Sequence, residues 1–144
     1  MRSNLVTSIS HPLSKRHFDL CGAQLRILVV DDNHNAAEAL AAYLSFKDVE
    51  CRMVFGGAEA ISIGTAWLPH VIAMDISMPE CTGVQAAFAL RHNRRTSGIT
   101  IIAVTALDET EVCRHLTAEE FDGYFQKGQS PANLLALVMT FANA

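Results

Sequence analysis

From Leu25 onward the chain repeats one pattern five times: a short apolar run, a polar break at its end, then a stretch with helical spacing. No other feature constrains the fold as much, because parallel strands need crossovers of about a dozen residues or more, and a helix is the usual crossover. The first run, Leu25-Arg-Ile-Leu-Val-Val30, is nearly continuous, as a strand covered on both faces requires. It stops at Asp31-Asp32-Asn33. Ala37, Leu40, Ala41 and Leu44 then recur at helical spacing, with Asn33 suited to cap that helix.

The later units read the same way. Strands are expected over Glu50–Phe55, His70–Asp75, Ile99–Thr105 and Asp122–Gln126. Helices are expected over Ala58–Trp67, Gly83–Asn93, Asp108–Leu116 and Pro131–Phe141. The spacing in the third helix buries Val84, Ala87 and Phe88 and turns Arg91 and Arg94 outward. The last helix opens with Ser130 as cap and Pro131 in its first turn, and Leu134, Leu135, Val138 and Phe141 share one face. Five strands alternating with five helices predict an α/β fold: a five-stranded parallel sheet with right-handed crossovers and helices on both faces. In such sheets the ligand site lies beyond the carboxyl ends of the strands.

Composition narrows the class. The chain has 144 residues, enough for one domain with a substantial core. Half the residues are hydrophobic and 18% are charged, which is globular rather than disordered. A formal charge of −4 offers no general attraction to nucleic acid or anionic lipid. Cys21, Cys51, Cys81 and Cys113 are dispersed and read as free thiols of a reducing compartment. No apolar run approaches the length of a membrane span or signal peptide, so a cytoplasmic location is expected. Met1–Gln24 has no sustained period and reads as a flexible arm ahead of a domain over 25–144.

Functional residues gather at the strand ends. Asp31 and Asp32 close the first strand, Asp75 the third and Thr105 the fourth, and Lys127 follows the fifth. Alone, each is an ordinary turn, cap or strand-end residue. Together they fall on one rim, where three carboxylates repel one another and a cation relieves them. An all-oxygen donor set suits a hard ion, Mg²⁺ or alternatively Mn²⁺, and argues against zinc. A carboxylate is also a competent nucleophile toward phosphorus, and an ammonium and a hydroxyl can neutralise the transferring oxygens. Lys127 and Thr105 suit those two roles.

The stretches Ile27-Leu-Val-Val-Asp-Asp-Asn33, Met74-Asp-Ile-Ser-Met-Pro79 with Gly83, Ile102-Ala-Val-Thr-Ala106 and Gly123-Tyr-Phe-Gln-Lys127 resemble the receiver (CheY-like) domain of bacterial two-component response regulators. The resemblance covers Leu25–Phe141. It implies a flavodoxin-like sheet in the order 2-1-3-4-5, and Asp75 as acceptor of a phosphoryl group from a histidine kinase or histidine phosphotransfer protein. It further implies Mg²⁺ bound by Asp32, Asp75 and the Ser77 carbonyl, with Asp31 acting through water. Lys127 would pair with the phosphoryl oxygens, Thr105 would swing toward them, and Tyr124 would be an aromatic switch. The readout surface would then be the fourth helix, fifth strand and fifth helix, serving a downstream protein or a weak or phosphorylation-dependent dimer.

The chain departs from that family at three places. Gly128 stands where the family usually has proline, which predicts a looser loop around Lys127. Cys81-Thr82 replaces an apolar-Asp pair before Gly83, with Thr82 still able to cap. Glu119, Glu120 and Gln126 make the fifth strand and its approach unusually polar. Since the chain ends at Ala144, the expectation is a single-domain regulator acting through protein contacts. An excised receiver of a larger regulator or hybrid kinase is the alternative, as is a phosphorylation-independent interaction module on the same fold. An aspartyl phosphatase would want a second aspartate where Ser77 stands, and a flavin carrier would want a phosphate loop after the first strand.

Overall fold

A computed structural model describes residues 10–76, 78, 82–106 and 120–143. Five parallel strands form the centre of the molecule: β3 (Arg26–Val30), β4 (Glu50–Val54), β5 (Val71–Asp75), β6 (Thr100–Thr105) and β7 (Gly123–Gln126). Their spatial order is β4-β3-β5-β6-β7, the 2-1-3-4-5 order of a flavodoxin-like sheet. Helices α1 (His34–Phe46), α2 (Gly57–Trp67), α3 (Gly83–Arg91) and α4 (Pro131–Met139) cover the two faces. The expected fourth helix over Asp108–Leu116 lies outside the described residues. Among them, no helix is long and apolar enough to cross a membrane.

Strand alternation divides the core in two. Ile27, Val29, Val71, Ala73, Ile102, Val104 and Phe125 face one way and pack with Ala37 and Leu44 of α1 and Leu134, Leu137 and Val138 of α4. Leu28, Val30, Ile72, Met74, Ile101 and Ala103 face the other way and meet Ala60 of α2 and Ala86, Ala87 and Leu90 of α3. Burial of each large aliphatic chain contributes about 1.5–3 kcal/mol. The helix starts follow the sequence. Asn33 Oδ1 accepts from the Ala36 N–H at 3.0 Å, and Ser130 Oγ accepts from the Ala132 N–H at 3.2 Å.

Four features differ from the sequence reading. The buried stripe of α3 runs through Gly83, Ala86, Ala87 and Leu90, leaving Val84 half-buried and Phe88 exposed. The reason is close helix packing: a Cβ on Gly64 would meet Leu90 Cδ2 at 3.2 Å. An aromatic ring has no room in that contact, and Phe88 stacks on His92 instead, with ring centres 4.0 Å apart. Arg91 also turns inward, while Arg94 is exposed as expected. The last helix ends at Met139, and Phe141 enters the core from the turn beyond it.

The fourth difference is the N-terminal segment. Instead of hanging free, it is tied down from Ser10 onward. Strand β1 (Ser10–Pro12) pairs antiparallel with β7, adding a sixth strand at the sheet edge. Strand β2 (Phe18–Asp19) pairs parallel with β8 (Ala142–Asn143), and Phe18 joins the α1–α4 side of the core. Phe18 is the apolar anchor that makes docking favourable in a stretch without periodicity.

Candidate functional site

The site grows from the carboxyl ends of β3, β5 and β6. Asp31 follows β3 directly, and its N–H donates to the Val54 carbonyl at 3.2 Å, so the sheet still holds its backbone. Its Oδ1 accepts from the Asn33 N–H at 3.0 Å. Asp75 is the last residue of β5, and the next residue remains pinned, with the Ile76 N–H donating to the Val104 carbonyl at 3.2 Å. Asp31 and Asp75 are buried and Asp32 is exposed. Carboxylate oxygens of all three lie within 4.8 Å of one another, as the strand-end reading expected.

Lys127 lies against this cluster. Its ammonium is 3.2 Å from Asp31 Oδ2 and 3.2 Å from Asp75 Oδ2. Burial on its own would pull the lysine pKa down, but the carboxylates of Asp75 and Asp31 outweigh that and hold it above its ordinary value. The backbone supports this reach, since the Lys127 N–H donates to the Thr105 carbonyl at 2.7 Å. Gly128 then takes φ +96°, a left-handed conformation that proline cannot adopt. The loop therefore delivers its lysine by a different backbone path from one built on proline.

Gly83 has a local role that the sequence alone did not disclose. A Cβ there would lie 2.6 Å from Ile76 Cα and closer still to the Asp75 carbonyl oxygen. Only glycine lets the start of α3 press against the backbone that carries Asp75. Thr82 caps that helix through a reciprocal box with Gln85, at 3.1 and 2.8 Å.

Thr105 and Tyr124 are both fully buried. Ala103 is the register partner of Tyr124, and Thr105 lies two residues beyond Ala103 on the same face of β6. The two side chains thus share the sheet face that packs with α2 and α3. Ser77 lies outside the described residues. Beside the rim, His34 stacks on Phe55 with ring centres 3.8 Å apart. An open groove of about 260 Å³ runs between α1 and α4, lined by Asp31, Leu40, Val104, Phe125, Lys127 and Pro131. Neither feature carries a signal in the sequence, because both depend on how α1 sits against its neighbours.

Among the described residues, three carboxylates face one ammonium at the rim, a balance of −2 (three minus one). An all-oxygen set of that charge fits a divalent hard cation. The arrangement can therefore bind such an ion and present a carboxylate beside it.

The chain resembles known proteins over most of its length. It is 28% identical over 122 residues to an uncharacterised 14.6 kDa protein of Leptolyngbya boryana, covering 85% of this chain and 93% of that one. It is 33% identical over 84 residues to Protein PilH of Pseudomonas aeruginosa, covering 58% and 69%. Among solved structures, Vibrio cholerae chemotaxis protein CheY4 has a TM-score of 0.77 at 24% identity, covering 83% of this chain and 99% of that one, a likeness of fold. The family model for the response regulator receiver domain matches residues 27–139, the stretch that holds the five parallel strands and the acidic rim. The chain belongs to the receiver-domain family of two-component response regulators.

Proposed function

We propose that Asp75 is the phosphoryl acceptor of this receiver, with Asp31, Asp32 and Asp75 holding Mg²⁺ and Lys127 and Thr105 handling the transferred group. The observation that carries this reading is the rim itself: three carboxylates within 4.8 Å, bridged on one side by Lys127. Receiver domains as a family accept phosphoryl groups through such a cluster and work with histidine kinases or phosphotransfer proteins. Asp75 is the most enclosed of the three acids, at 2% exposure, and it lies in direct contact with the ammonium.

The step balances simply. An Asp75 carboxylate oxygen forms a bond to phosphorus while the bond from phosphorus to a donor histidine nitrogen breaks. The electron pair returns to the imidazole, which takes up a proton from water. A bound divalent cation supplies neutralisation of the equatorial oxygens. Lys127 is already within reach and would move its ammonium from carboxylate to phosphoryl oxygen. The Ser77 carbonyl belongs to the same proposed metal set, and a small polar residue at that position suits hydrolysis of the acyl phosphate by water.

Signalling follows from packing. The new group adds about −1.5 to −2 charges at the rim. Thr105 turns toward it, which changes the space beside Tyr124 on the shared sheet face and biases two packings of that ring. The consequence is read by a protein partner at β7, α4 and the segment between β6 and β7.

The test is incubation of the chain with Mg²⁺ and a small acyl or amido phosphate, followed by intact mass. One added phosphoryl group in the native chain, absent in Asp75→Asn, is the expected result. A folded native sample that gains nothing would sink the proposal and favour a phosphorylation-independent interaction module.

A further inference from the structure

The sheet has two edges, and they are protected in different ways. At one edge, β4 reads Glu50-Cys-Arg-Met-Val54, with Glu50 and Arg52 both exposed. Charges on an edge strand discourage pairing with another chain. At the other edge, β7 reads Gly123-Tyr-Phe-Gln126 and carries no charge, no proline and no bulge. An uncharged, regular edge with free N–H and C=O groups is a template for a further strand. Here β1 fills that place, pairing Ser10 with Phe125, His11 with Tyr124 and Pro12 with Gly123. β1 is itself a blunt edge, being three residues long and carrying a proline that cannot donate to another strand.

The segment is held by a latch just beyond the strand. The Leu13 and Ser14 N–H groups donate to the Asp122 carbonyl at 2.7 and 3.2 Å. Ser14 Oγ donates to Asp122 Oδ1 at 2.8 Å, and Arg16 Nε donates to the same oxygen at 2.9 Å. Asp122 Oδ2 is held separately by Arg91 Nη2 at 2.8 Å and the Ile101 N–H at 2.9 Å. Two of the four donors to this carboxylate therefore come from the arm and two from the domain. Phe18 is anchored independently, its N–H donating to the Phe141 carbonyl at 2.9 Å. Ser10–Arg16 can thus lift off without withdrawing Phe18 from the core.

We propose that the β7 edge is a strand-docking surface whose occupant in trans is a second copy of this chain, and that Ser10–Arg16 is a latched strap covering it in cis. A second copy suits the edge because two β7 strands can pair antiparallel about a two-fold axis, each offering the same uncharged face. The opposite edge cannot self-pair as readily, since its exposed charges would have to be desolvated. The strap contacts belong to this chain's own residues outside the acidic rim, so the proposal stands whether or not Asp75 is the acceptor.

The experiment compares the full native chain with its Ser14→Ala/Arg16→Ala variant by sedimentation velocity over a concentration series. Arg16→Ala alone, at a part-exposed position, serves as a milder second variant should the double change disturb folding. The native chain should remain monomeric. The double variant should dimerise with an affinity at least about tenfold tighter, since two hydrogen bonds to the Asp122 carboxylate, one of them from a guanidinium, no longer hold the strap. Adding the peptide Ser-His-Pro-Leu-Ser-Lys-Arg, the sequence of residues 10–16, should return it to monomer. Adding Gln126→Lys to the double variant, which places a charge on the β7 edge, should also abolish the dimer. Variants with native circular dichroism that sediment as the native chain does at every concentration would overturn the proposal. So would a dimer that survives Gln126→Lys, because it would then use another surface.

Discussion

Asp75 and Asp122 are both almost fully buried, at 2% and 1% exposure, and the sheet puts them at opposite ends of its strands. Their surroundings differ sharply. Asp122 receives four donors, from Ser14, Arg16, Arg91 and the Ile101 N–H, so two guanidinium groups face one carboxylate. Asp75 shares its rim with two further carboxylates, and among the described residues Lys127 brings one positive charge to the three. A buried charge surrounded by donors is a structural tie, costly to break and indifferent to added ions. A buried carboxylate crowded by other carboxylates favours a cation beside it. Burial alone therefore says little about an acidic residue, and the balance of its neighbours decides what it does.

That contrast can be broken most directly by removing each carboxylate in turn. Asp122→Ala should cost about 3–5 kcal/mol in urea unfolding, because it strands the Arg91 guanidinium and the Ile101 N–H in a buried place. Asp75→Asn should leave stability within about 1 kcal/mol of the native chain, or raise it, since it relieves like-charge repulsion at the rim. Equal losses in the two variants would erase the distinction.

Gly83→Ala should cost about 1–3 kcal/mol, because the methyl group meets backbone on both Asp75 and Ile76 and something must shift. The same variant should weaken Mg²⁺ binding by displacing Asp75, which a Mg²⁺ titration followed by fluorescence or calorimetry would detect. Mg²⁺ itself sharpens the comparison further. At about 100 times its dissociation constant it should stabilise the native chain by about 2.7 kcal/mol. In Asp75→Asn that gain should shrink, whereas Arg91→Lys, which lies with Asp122 at the other end of the strands, should keep it. Thermal melts with and without Mg²⁺ provide the readout.

The smallest effect is on the alkaline side. The pKa of Lys127 is raised above 10.5 in the folded chain, so its stabilising contribution is fully present below 10.5. It is lost as pH rises through the higher folded value. Stabilities of the native chain and Lys127→Met should therefore converge above that range. Because the side chain is a third exposed, salt should narrow the gap at every pH. A gap that widens with pH would mean that Lys127 is not held by the carboxylates.

The rim was readable because each of its members closes a strand, and strand ends show in local patterning. Asp31, Asp32, Asp75 and Thr105 sit where apolar runs stop, and the parallel topology alone brings such positions to one side. The latch around Asp122 left no such mark. Ser14 and Asp122 are 108 residues apart, and Arg91 and Asp122 are 31 apart, so no periodicity links them. Charge and helical spacing favour the solvent face for Arg91. In the structure its guanidinium also reaches the carbonyls of Ser97, Ile99 and Glu120, at 2.6, 2.9 and 2.9 Å. Phe88 is the converse case, since an apolar residue at helical spacing faces the core only where the neighbouring helix leaves room.

By itself, then, the sequence determined the alternating α/β architecture, the order of the elements and the residues of the acidic rim. These follow from hydrophobic period and strand ends, which are local properties of the chain. The tertiary structure decided that the N-terminal segment is a strap, that Asp122 is a saturated tie, and that Gly83 and Gly128 shape the backbone around Asp75 and Lys127. Those outcomes depend on close approaches between segments distant in the chain, and distance along the chain hides them until the sheet is built.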